Sequence, residues 1–202
     1  MNNGVSHLSL LTPCSSMNKK IEYFLNAIHY CLYLEEKWST RIIEKCVLRL
    51  FHGLSILFNF ESFYQRKMEE RLKNRDLQEF MYGKTWGESI GFANHWFGYI
   101  YSGYPGFLSF TLLGAVDEMC NHHLNAITVI LILLIPIGLC YIPAYRAVFT
   151  KDRYLKYFKQ FEKEDEHWHK RWKRITIVFC IGSVVFTLGG IFAMWGVSLL
   201  IR

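Results

Sequence analysis

Long apolar runs separated by charged segments are the dominant pattern along this chain. The run from Ile175 to Ile201 has 27 residues without a charge, and the run from Leu124 to Tyr145 has 22. A third run, Ser89 to Val116, contains His95 as its only group that titrates near neutral pH. Each run exceeds the roughly 18 residues that mark a transmembrane helix. The pattern predicts an all-α, polytopic membrane protein with spans at about residues 89–116, 124–146 and 174–201.

A fourth apolar run, residues 46–60, is shorter and carries polar positions every three or four residues, which places them on one face of a helix. Two interpretations stay open. One is an amphipathic helix lying on the membrane surface, and the other is a fourth span at about 43–60 whose polar face meets protein or water. In the second, copies of the chain arranged around an axis place this face along a pore or a shared interface. The residues predicted to line the pore or interface are Arg49, His52, Ser55 and Asn59, together with Asn94 and His95 from the third run.

The composition agrees with a membrane protein and excludes other classes. Of the 202 residues, 51% are hydrophobic and 17% are aromatic, which excludes a disordered chain. Four prolines and the absence of a low-complexity tract exclude a collagen-like chain. The six cysteines form no CxxC pair, and they indicate neither a disulfide framework nor a redox site.

The distribution of Lys and Arg predicts the orientation. The segment 146–174 contains ten of these residues and the segment 61–88 contains six, whereas 117–123 contains none. By the positive-inside rule, the two basic segments are cytoplasmic, and the loop and the C-terminus are outside a bacterial inner membrane. The side of the N-terminus depends on whether 43–60 spans. We divide the chain into a flexible extension (1–20), an amphipathic helical region (21–88) and a transmembrane region (89–202) with a basic cytoplasmic segment (147–173).

Three local patterns carry candidate chemistry. The outer loop concentrates metal-binding side chains without an established ligand spacing, and the plain alternative is a polar turn. The candidate ligands are Asp117, Glu118, Cys120, His122 and His123. Glycine and proline in the third run predict a helix break of the kind found at transport sites, at Gly103, Pro105 and Gly106. Aromatic and basic residues before the last span suit lipid headgroups or a partner, namely Trp168, Lys170, Arg171, Trp172, Lys173 and Arg174.

No nucleophile, acid–base or phosphate-binding motif is present. We therefore expect no catalytic residue and no cofactor, and we interpret the chain as an oligomeric pore, a permeability effector or an accessory membrane subunit. Two alternatives are a membrane enzyme with a metal site at 117–123, and an adaptor that binds protein or nucleic acid through 147–173. Nucleic acid is the less expected partner, since the positive-inside pattern already explains the net charge of +6.

In size and organisation alone, the chain is similar to small membrane accessory proteins of bacterial antiviral systems, such as those encoded beside RNA-targeting CRISPR nucleases. This similarity implies a role in antiviral defence. We expect the lipid bilayer, further copies of the chain and a cytoplasmic protein as partners.

Overall fold

The computed structural model of the protein describes residues 19–121 and 123–201, and within them every regular element is helical. The predicted extension at 1–20 therefore lies mostly outside the described residues. The α-helices are α1 (Lys19–Leu57), α2 (Glu61–Lys73), α3 (Arg75–Tyr82), α4 (Glu88–Met119), α5 (Ala126–Val148), α6 (Arg153–Phe161) and α7 (Glu166–Ile201), and a 3-10 turn (Thr150–Asp152) separates α5 from α6.

Local side chains fix several helix ends. The side chain of Asn74 accepts a hydrogen bond from the backbone N–H of Leu77 at the start of α3. Asn125 does the same for Thr128 at the start of α5, which satisfies N–H groups that lack a partner in the first turn. Gly87, at φ 122°, makes the turn into α4 in a conformation that disfavours any side chain.

Helices α4, α5 and α7 form an up-down-up unit. Tyr104 Oη of α4 donates to the carbonyl of Phe179, and further along α4 Gly114 lies against Met194, so α4 and α7 run in the same direction. The α5 helix runs the opposite way, because Tyr101 Oη donates to the carbonyl of Cys140 and Ser109 Oγ to that of Leu133. The α4–α5 loop and the end of α7 therefore lie at one end of the unit, and the basic segment 146–174 lies at the other.

Two helical segments of the described chain are long and apolar enough to cross a membrane, Ala126–Phe161 and Glu166–Val197. In the first segment, no residue of the most apolar stretch is buried inside the protein. In the second segment, 17% of the most apolar stretch is buried. Neither α4 nor α1 is among these segments. In α4, polar and small residues such as Asn94 and His95 lower the mean hydropathy. The prediction of an all-helical chain with membrane-crossing helices is supported at the level of two candidate spans, and three or four spans are not confirmed.

The helix break predicted at Gly103, Pro105 and Gly106 does not occur, because α4 runs through all three residues. A proline inside a helix costs about 3 kcal/mol. Here the surrounding helix is held on both sides, by Tyr104 against α7 and by Ser109 against α5. Packing therefore maintains a helix that local sequence preference disfavours.

Helix α1 is the central element of the core. It continues for 39 residues and includes most of the region predicted as a separate helix at 43–60. Its first half is buried at the end of the bundle where α4 and α7 begin. The core residues contributed by α1 are Leu25, Ala27, Ile28, Tyr30 and Tyr33, and their partners from the other helices include Ile90, Ala93, Phe97, Ala147, Val148, Tyr154, Phe158 and Phe161.

Candidate functional site

A buried histidine marks the junction of α1 and α4. His29 is fully buried, and its Nε2–H donates to Asn94 Oδ1 at 2.8 Å. Its other ring nitrogen, Nδ1, is buried and has no hydrogen-bond partner within residues 19–121 and 123–201. Four rings surround the imidazole with centroids 5.3 to 5.6 Å away, those of Phe97, Phe149, Tyr154 and Phe158.

This enclosure keeps His29 neutral. Burial lowers the pKa of His29 from 6.5 to about 4, against a smaller upward effect of the hydrogen bond to Asn94. A neutral imidazole that donates through Nε2 holds a lone pair on Nδ1. The hydrogen bond between His29 and Asn94 is thus a fixed polar contact between α1 and α4, and His29 does not act as an acid at neutral pH.

Beside this junction, a groove of about 600 Å³ opens between α1, α4 and α7. A neighbouring cavity of about 500 Å³ shares Glu36, Ser39, Trp96 and Tyr99 with it, so the two are continuous. We call the combined cleft the acidic groove. Its lining residues are Leu32, Glu35, Glu36, Trp38, Ser39, Phe92, His95, Trp96, Tyr99, Ile100, Cys180, Ser183 and Val184.

The carboxylates at the acidic groove differ in their partners. Glu35 forms an ion pair with Lys173, with 2.7 Å between Oε1 and Nζ. Glu44, which lines an adjoining cavity shared with Glu36, pairs with Arg71 at 3.0 Å and accepts a hydrogen bond from Tyr82 Oη. Glu36 has no ion-pair or hydrogen-bond partner among the described residues. Burial first, and the charge of nearby Glu88 second, raise the pKa of Glu36 above its usual value.

The structure separates the two residues of α4 that the sequence predicted together. Asn94 faces the protein interior and accepts a hydrogen bond from His29. His95, the next residue, lies on the exposed side and stacks on Tyr99 with a centroid distance of 6.4 Å. It lines the acidic groove rather than the interior.

The polar face predicted at the end of α1 is partly covered by α2. Ser55 is fully buried and donates to the carbonyl of His52, while the His52 ring packs against Tyr64 at 5.7 Å. Arg49 and Asn59 remain exposed. The four residues therefore do not form one open stripe, because a helix of the same chain occupies its centre.

The loop predicted as a metal site is short. Asp117 and Glu118 belong to the last turn of α4, Cys120 and His123 are exposed, and His122 lies outside the described residues. Within the described ranges, no three side chains of His, Cys, Asp or Glu come together as a metal-binding group. The four described candidates do not form a ligand set by themselves.

In the cluster predicted to contact lipid headgroups or a partner, the two tryptophans pack against other residues of the protein, whereas the four basic side chains are exposed. Trp168 Nε1–H donates to Tyr23 Oη at 2.9 Å, and Trp172 packs against Tyr23 and Phe24. Lys170 pairs with Glu166 and Lys173 with Glu35. Arg171 and Arg174 are exposed.

The aromatic residues of the 147–173 segment are similarly occupied. Tyr154 and Phe158 are 6% and 1% exposed, because both face α1. Bases stack on exposed aromatic faces in single-strand binding proteins. The inward direction of these rings does not favour the adaptor for nucleic acid.

Sequence reasoning missed His29 and Glu36. Both lie in the region predicted as amphipathic helix at 21–88. The spacing of apolar residues predicts a helix there, but it does not predict which other helices pack against it. A weak signal was present: Asn26, His29 and Tyr33 follow one another at helical spacing on the face that the structure buries. Comparison with protein-family models, curated proteins and solved structures finds no match for this chain.

Proposed function

We propose that this chain is a helical membrane protein that works as a homo-oligomer, as a permeability effector or an accessory membrane subunit. The observation that carries the proposal is a largely exposed apolar segment, residues 38–60, which we call the apolar arm. Eleven of its large apolar side chains are between 38% and 75% exposed: Trp38, Ile42, Ile43, Val47, Leu50, Phe51, Leu54, Ile56, Leu57, Phe58 and Phe60.

The position of the apolar arm favours association with other copies over burial in lipid. Along α1, Phe24 contacts Phe179 and Glu35 pairs with Lys173, so α1 runs from the apolar part of α7 toward its charged start. Glu44 shares a cavity with Glu88, the first residue of α4. The last 13 residues of α1, about 20 Å of helix, therefore extend beyond the start of α4.

An exposed apolar surface of this size marks an interaction site in soluble surroundings. Within the described chain, α2 packs on the arm through Tyr64 and Arg71, and Tyr82 at the end of α3 contacts Arg41 and Glu44. A second arm offers a matching apolar surface, as in the isologous interfaces of symmetric dimers. The exposed apolar windows of α5 and α7 supply the membrane anchor in this proposal.

The test measures the oligomeric state in mild detergent by light scattering, followed by dye leakage from reconstituted liposomes. We expect an oligomer for the wild type and a monomer for the Leu50→Ser/Leu54→Ser variant. The control is Leu72→Ser on α2, because Leu72 is as exposed as Leu50, both at 68%, but lies outside the arm.

A monomeric wild type, or an arm variant that still assembles, contradicts the proposal. Among oligomeric outcomes, dye leakage assigns the permeability role, and an oligomer that leaves the liposomes sealed assigns the accessory role. Arg49→Leu, which removes an exposed charge of the arm without touching α2, separates charge-dependent leakage from a general bilayer defect.

A further inference from the structure

We propose that the acidic groove binds a lipophilic organic cation, an ammonium or phosphonium group on an apolar body, with Glu36 as its counter-ion. The proposal concerns a ligand of the single chain. It does not depend on whether the apolar arm joins copies.

Glu36 is placed as a counter-ion that has no partner in the part of the chain that the structure describes. It lines the two connected cavities of the groove and also the adjoining cavity of about 370 Å³ that contains Glu88. The neighbouring acids Glu35 and Glu44 are already neutralised by Lys173 and Arg71. Among the described residues, Glu36 in the groove and Glu88 in the adjoining cavity therefore carry negative charge without an ion-pair partner, although the net charge of the whole chain is +6. A half-buried carboxylate in this position is stabilised by a cation that enters.

Aromatic rings form the walls beside this carboxylate. Trp96 and Tyr99 are 52% and 70% exposed and meet edge to face at 6.4 Å, and Trp38 stands at the rim with 62% exposed. Ring faces attract cations, and Trp attracts them most strongly. The larger cavity of the groove, about 600 Å³, lies in the volume range of sites that hold drug-sized ligands.

The same lining argues against a metal ion. Divalent cations need several oxygen, nitrogen or sulfur ligands at once, and the described residues contain no group of three such side chains. Glu36 offers one carboxylate surrounded by rings, which matches a large, weakly hydrated organic cation.

The ligand is expected to reach the groove from an apolar phase. Cys180, Ser183 and Val184 line one side, and they belong to the apolar part of α7 that meets the length and hydropathy of a membrane span. A cation on an apolar body concentrates at the boundary between the membrane and water. The source is either a lipid with an amine headgroup or a free lipophilic cation.

The test measures binding of tetraphenylphosphonium to the full chain in nanodiscs of anionic lipid. Tetraphenylborate, with the same shape and the opposite charge, is the matched ligand. We expect saturable binding of the phosphonium only, and about tenfold weaker binding or more for Glu36→Gln. Glu36→Asp, which keeps the charge, should retain most of the affinity, and Trp96→Ala should weaken it severalfold.

The control variant is Glu61→Gln, an exposed acid at the start of α2 that makes the same charge change away from the groove. Equal binding of the two tetraphenyl ions, or unchanged affinity in both Glu36→Gln and Trp96→Ala, overturns the proposal. Nanodiscs that contain phosphatidylethanolamine separate the sources: competition assigns the site to the lipid amine, and its absence assigns it to a free lipophilic cation. If Glu36→Gln fails to fold, Glu36→Asp and Trp96→Ala still carry the comparison.

Discussion

His29 on α1 and Asn94 on α4 form a hydrogen-bonded pair, with 2.8 Å between Nε2 and Oδ1, inside a shell of aromatic rings. The pair joins the central helix α1 to α4, the first helix of the three-helix unit. Burial favours the uncharged imidazole, and among the described residues no acidic side chain pairs with the ring. Stability and pH are therefore linked at this position.

The first prediction is that acidification destabilises the protein through His29. The pKa of His29 is about 4 in the folded state and 6.5 in the unfolded chain, so the unfolded state binds more protons below pH 6.5. Stability is fully present above pH 6.5 and falls as the pH drops toward 4. The expected loss is about 2 kcal/mol between pH 8 and pH 5, measured as the unfolding midpoint in mild detergent.

The matched comparison for this pH effect uses two glutamine variants. His29→Gln should flatten the dependence between pH 8 and pH 5. His95→Gln, at an exposed ring one residue from Asn94, should keep the wild-type slope. An unchanged slope in His29→Gln would show that another group is responsible.

The second prediction concerns the acceptor of the pair. Asn94→Ala leaves the buried Nε2–H of His29 without an acceptor, which costs about 1–3 kcal/mol of unfolding free energy. Replacing both partners by leucine removes the unsatisfied group. The double variant His29→Leu/Asn94→Leu should therefore lose less stability than the sum of the two single leucine variants. Strict additivity in this cycle would argue against a direct coupling.

The third prediction concerns the close contact between α4 and α7. A Cβ on Gly190 would lie 2.7 Å from the Cα of Phe107, whereas a Cβ on Gly196 would meet nothing within 4 Å. Alanine is otherwise favoured over glycine in a helix by about 1 kcal/mol. Gly190→Ala should lower the midpoint of thermal unfolding, and Gly196→Ala should leave it unchanged or raise it. Equal effects of both variants would contradict this packing.

The fourth prediction concerns orientation across the membrane. Cys120 is exposed between α4 and α5, and Lys159 is exposed on α6 at the opposite end of the three-helix unit. With ten Lys and Arg in 146–174, the positive-inside rule predicts that an impermeant maleimide labels Cys120 in intact spheroplasts. A single-cysteine variant carrying Lys159→Cys should react only after lysis. The reverse result would invert the orientation.

The sequence by itself determined the elements that depend on local composition. The apolar runs at 124–146 and 174–201 became α5 and α7, since length and hydropathy alone decide whether a helix is apolar enough to cross a bilayer. The sequence also predicts a helix near 43–60, but not that this helix is continuous with the residues before it. Helical periodicity predicts which residues share a face, and this prediction does not depend on the other helices.

Only the tertiary structure decided what each face meets. Asn94 and His95 are adjacent in sequence, yet one binds His29 in the core and the other lines the acidic groove. Trp168 resembled an interfacial anchor and instead donates to Tyr23. Helices that are distant in sequence decide which polar side chains are buried. They also decide that Glu35 pairs with Lys173 and that Glu36 has no partner among the described residues. The free energy of these contacts depends on side chains of other helices, which the spacing of residues within one helix does not predict.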